Sequence, residues 1–72
     1  MRKKETIIFG TPLQPIRQGR PAVIREASGF RQTTPVLWVD QLSSSEITFE
    51  TQNTVYHLRV VAVLRGEGAH RA

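Results

Sequence analysis

His57, Asp40 and the run Ser43-Ser44-Ser45 are the side chains from which this chain could assemble a nucleophilic site. In such a site a hydroxyl attacks, an imidazole takes its proton and a carboxylate orients the ring. Residue types alone do not make one. A serine nucleophile works from a strained turn beside N–H groups that receive the oxyanion, and no glycine-flanked elbow surrounds these serines. Metal chemistry would rest on His57 and His70, yet His57 has no His or acid at a ligand spacing and His70 falls in a tail. The absence of cysteine removes disulfides, thiolate metal sites and thiol nucleophiles together. No Gly-x-x-x-x-Gly-Lys-Ser/Thr loop occurs, and Lys3 and Lys4 are the only lysines. The expectation is a chain with no catalytic residues, no metal and no cofactor, which is not an enzyme.

Arginines carry a different possibility. The connection GTPLQPIRQGRP, residues 10 to 21, is long for a β-protein loop, is stiffened by Pro12, Pro15 and Pro21, and presents Arg17 and Arg20. Arginine favours bidentate contact with phosphate or carboxylate. The net charge of +4 is unevenly spread. Residues 5 to 64 balance five arginines (17, 20, 25, 31 and 59) against five acids (Glu5, Glu26, Asp40, Glu46 and Glu50), so the excess lies at the two ends. Within the neutral body, residues 10 to 31 hold four arginines and one glutamate, whereas residues 40 to 59 hold three acids and one arginine. Arg17, Arg20, Arg25 and Arg31 are therefore the candidate partner-binding or phosphate-binding residues.

The elements that must position these groups read as strands. Apolar residues fall in short runs rich in Val, Ile, Thr, Phe and Tyr, punctuated by Gly, Pro, Ser and Asn. Five strands are predicted, over residues 5 to 9, 21 to 26, 30 to 40, 46 to 51 and 54 to 64. A Gln52-Asn53 turn, with Asn accepting a positive φ, sets Thr51 against Thr54, Phe49 against Tyr56, Ile47 against Leu58 and Glu46 against Arg59. That register gathers Ile47, Phe49, Tyr56, Leu58 and Val60 on one face, with His57 on the other across from Thr48. A Ser28-Gly29 turn in the preceding hairpin would set Glu26 against Arg31 and avoid an Arg25–Arg31 clash. Pro35 cannot donate to a ladder, so the long third strand must bend, bulge or lie at an edge there. Ser43 and Glu46 have the spacing of a helix capping box, but the residues after Glu46 alternate with period two, so Ser43 to Ser45 is read as a loop. Trp38, the only tryptophan, is expected in the core.

The chain has 72 residues, room for one domain and one small core. The expected organisation is a basic arm over residues 1 to 4, a single domain over residues 5 to 64 and a flexible tail over residues 65 to 72. Two runs, Val36 to Val39 and Val60 to Leu64, do not alternate. Strands apolar on both faces are central or covered by something else, which makes Leu37, Val39, Val61 and Val63 candidates for a partner or homo-oligomer interface. The apolar stretch after Met1-Arg2-Lys3-Lys4 is too short for a signal peptide, and nothing approaches the roughly 20 apolar residues that span a bilayer. No membrane partner and a cytoplasmic location are expected.

The predicted fold is all-β, a small five-stranded antiparallel barrel or rolled sheet built from hairpins. A first strand, a long irregular loop and a meander ending in a tight hairpin, over residues 5 to 64, resemble the Src-homology-type small barrel; the resemblance is at the level of the superfold and implies geometry, not activity. Residues 33 to 36 (TTPV) with residues 49 to 58 (FETQNTVYHL) also resemble a pattern of short uncharacterised bacterial proteins. The functional expectation is a non-enzymatic accessory or interaction module that docks on a protein or nucleoprotein partner, an inhibitor carried by a mobile element being one special case. The alternative is a small barrel that binds DNA or RNA weakly and electrostatically.

Overall fold

Alternation of apolar and polar residues builds strands wherever it is sustained, and backbone breakers end them. In the computed structural model, which describes residues 3–62, the order is β1 (Lys4–Pro12), β2 (Pro21–Glu26), β3 (Gly29–Pro35), β4 (Trp38–Ser43), β5 (Glu46–Glu50) and β6 (Thr54–Val60). The all-β class is as expected; the strand count is six, not five. The predicted third strand divides at Pro35, where the missing N–H ends the ladder to β2 and the buried Val36 turns the corner. Residues 1–2 and 63–72, which include half of the expected arm and all of the tail, lie outside the described residues.

The sheet runs β3-β2-β1-β6-β5-β4 and is mixed, and it does not close. β1 lies parallel to β6, from Lys4 opposite Thr54 to Gly10 opposite Val60. The hairpins β2–β3, β4–β5 and β5–β6 are antiparallel. An antiparallel barrel would need β1 to run the other way and the two edges, β3 and β4, to meet; instead β1 is shared at the centre. Its first part pairs with β6, and only Thr11 and Pro12 pair with β2. The sheet bends where the pairing passes from one neighbour to the other. Gly10 sits at that bend, because a Cβ there would collide with the Arg25 carbonyl oxygen and lie 2.9 Å from Ile24 Cγ2.

Bending brings one face of each half together. Ile8, Ala22, Ile24, Val36, Ile47, Phe49 and Leu58 form one buried cluster, with Ile16, Val39, Tyr56 and Val60 packed against it. Phe49 and Tyr56 stack at 4.9 Å between ring centroids, in the pairing expected from the hairpin. The rest of that register, Ile47 with Leu58 and Glu46 with Arg59, is also as expected. Its turn differs, since no non-glycine residue has positive φ among the described residues and Asn53 therefore does not adopt the left-handed conformation. In the β2–β3 hairpin the turn is Ala27-Ser28, not Ser28-Gly29: Gly29, at φ +138°, opposes Glu26, and Arg25 opposes Phe30. The Glu26–Arg31 attraction survives as a diagonal ion pair of 2.7 Å.

Candidate interaction surface

The connection that carries Arg17 and Arg20 is not a free loop. The Gly19 N–H donates to the Val36 carbonyl at 2.8 Å, the Val36 N–H donates to Arg20 O at 2.9 Å, and the Arg20 N–H closes a turn on Arg17 O at 3.3 Å. Both arginines are exposed and line a depression of about 270 Å³ with Gln14, Pro15 and Pro21. Neither has a carboxylate within ion-pair distance among the described residues.

Arg25 and Arg31 go elsewhere. They are on β2 and β3, and strand alternation sends them to opposite faces: Arg31 opposes the buried Ile24, whereas Arg25 opposes the exposed Phe30. Arg31 bonds Glu26 and lies 6.0 Å from the Tyr56 ring centroid, and Glu26 holds its guanidinium above its ordinary value. It ties one half of the bent sheet to the other. Arg25 lies over the Phe30 ring at 5.6 Å on the outward face. Of the apolar interface candidates, Leu37 and Val61 are exposed, Val39 packs against the core, and Val63 lies outside the described residues.

A depression of about 640 Å³ opens on the outward face of β1, β6 and β5, at Glu5, Ile7, Leu42, Glu46, Thr48, His57 and Arg59 among others. His57 Nε2 meets Glu5 Oε1 at 2.8 Å and its Nδ1 lies 3.4 Å from Thr48 Oγ1. Glu5 reaches it through the parallel β1–β6 pairing, across 52 residues of sequence, so no local spacing announced it. The serines are apart from this group: Ser43 and Ser45 bond one another at the β4–β5 turn. No group of three potential metal ligands occurs among the described residues. Further along, Arg59 pairs with Glu46 at 3.5 Å. Glu50 accepts from both the Lys3 ammonium and the Trp38 indole N–H, which hold its carboxyl below the usual carboxylate range, Lys3 contributing most. Trp38 is thus half exposed on β4 rather than buried, its N–H satisfied at the sheet surface.

Ile7 and Phe9 are more than half exposed on β1, at 55% and 57%, and nothing in the chain's described residues covers them. Sequence reading missed them, and Phe30 with them. The signal was present: Ile7-Ile8-Phe9 places three large apolar residues in a row, and a strand can bury only one parity against a single core. No family model, curated protein or solved structure matches this chain. No helix among the described residues is long and apolar enough to cross a membrane.

Proposed function

We propose that this chain is a non-enzymatic interaction module that docks on a protein or nucleoprotein partner through the outward face of its sheet. The observation that carries the reading is the uncovered pair Ile7 and Phe9 on the central strand, beside the wide depression at His57. A sheet face left without a second layer keeps its apolar side chains in water unless a partner takes them up. The Glu5–His57 hydrogen bond and the Glu46–Arg59 ion pair give the same face charged and polar groups with which a partner is oriented. Capture of partners from lysate by the wild-type chain, with and without nuclease, compared with Ile7→Lys and Phe9→Lys, tests this. Both positions are exposed, so the variants should fold, and each should lose a partner that the wild type retains. Unchanged capture by both variants would sink the reading.

A second reading, weak electrostatic binding of nucleic acid, is favoured by Arg17 and Arg20 at their shared depression, neither paired with a carboxylate among the described residues. Its mark is salt dependence: each phosphate contact contributes about 0.9 to the log–log salt slope on duplex DNA. Arg17→Ala with Arg20→Ala should then flatten the slope by about two contacts.

A further inference from the structure

The outward face is divided by charge. Glu5, Glu46, Glu50 and Asp40 are on the half built from the start of β1, from β5 and from β4. The other half, from β3 across β2 to the end of β1, presents Phe30, Arg25, Thr11 and Phe9 outward, and the register places Thr11 opposite Arg25 and Arg25 opposite Phe30. No carboxylate among the described residues stands on this half, because Glu26 turns to the core side with Arg31. Arg59, opposite Phe9 on β6, is paired with Glu46 at 3.5 Å and belongs to the acidic half. Phe30 is 66% exposed and Phe9 57% exposed, far more than a packed core aromatic tolerates.

We propose that Phe30 and Phe9, with Arg25 between them, form a stacking platform for a single strand of nucleic acid. This rests on the outward face being the docking surface and names what it takes. A single strand offers alternating base faces and phosphates, and this half of the face offers two rings with one guanidinium between them. Phe30 lies two strands from β1, and Phe9 is two residues along β1 from Thr11, the neighbour of Arg25, so the rings stand more than roughly 10 Å apart and receive separate bases. Arg25 lies over one face of the Phe30 ring at 5.6 Å, so a base stacks on the other face with the cation already in place. A duplex hides its base faces and would use only the cations.

Fluorescence anisotropy tests this, with labelled oligo(dT) and oligo(rU) of about 12 nucleotides and a hairpin duplex of equal length. The expected result is tighter binding of the single strands than of the duplex, weakened about five- to hundredfold by Phe9→Ala and by Phe30→Ala and retained by Phe9→Tyr. Arg25→Gln should weaken binding and lower the salt slope. Equal or tighter duplex binding, silent Phe9 and Phe30 variants, or no binding of single strands overturns the platform. Failure of the underlying docking reading looks different. A partner captured after nuclease and lost with Ile7→Lys would leave docking intact and remove the platform, whereas capture indifferent to Ile7→Lys and Phe9→Lys would remove docking itself.

Discussion

A methyl group added at Gly10 would press on backbone, since its nearest neighbour is the carbonyl oxygen of Arg25 and not the end of a side chain that could swing away. Gly10→Ala is therefore expected to destabilise the fold by about 1–3 kcal/mol through a forced shift of β1 from β2, measurable in a urea transition. Phe49 has the opposite problem, being fully buried and stacked on Tyr56. Phe49→Ala should cost about 3–5 kcal/mol, enough to unfold a domain of this size, while Thr48→Ala on the outward side of the same strand should stay within about 0.5 kcal/mol. An unfolding midpoint of Phe49→Ala that matched wild type would remove Phe49 from the core. Glu50 supplies a pH dependence. Its carboxyl is held below the ordinary range by Lys3 and then Trp38, so the native state favours the ionised form more than the unfolded chain does. The resulting stabilisation is complete above the ordinary carboxylate range and is lost as pH falls through the lowered native value. Trp38 fluorescence should change over that acidic window, and Glu50→Gln should abolish the change.

At the scale of elements, the β2–β3 hairpin turns on Gly29, whose φ of +138° is a conformation that side chains rarely adopt. Gly29→Ala should cost about 1–3 kcal/mol and loosen the Arg25–Phe30 contact, visible as faster amide exchange at the hairpin tip. The β5–β6 hairpin was legible residue by residue because two independent signals agreed: strict alternation gathered Ile47, Phe49, Tyr56 and Leu58, and Glu46 met Arg59 in the same register. Charge pairing alone misled at β2–β3. It selected the register with Glu26 directly opposite Arg31, whereas the side chains are long enough to meet diagonally and leave Phe30 opposite Arg25. Pro35 announced a break but could not say whether the strand would bend or divide. The parallel pairing of β1 with β6 left no local trace, for it joins residues far apart in sequence and makes no hairpin. With it went the outward assignment of Glu5, Ile7 and Phe9, and so most of the candidate surface.

The whole molecule is an open sheet, so β3 and β4 each keep one edge that no strand among the described residues covers. Unpaired edges template further strands, and β4 adds exposed Trp38 and Leu42 to its edge. Self-association is the expected consequence at high micromolar concentration, and Leu42→Lys should suppress it. Light scattering over a dilution series distinguishes the cases, and a wild type that remains monomeric throughout would show that the edges are protected. The central pairing has a consequence for synthesis. Thr11 and Val61, which bond at 2.5 Å, are 50 residues apart, and the strands on either side of that seam are the first and last of the six. While the ribosome is still making β6, β1 has no lateral partner along its stretch from Lys4 to Gly10. Ile7, Ile8 and Phe9 are then all in water together. The nascent chain must wait for β6 with its stickiest segment bare, which is when a chaperone, or a neighbouring copy, has its opportunity.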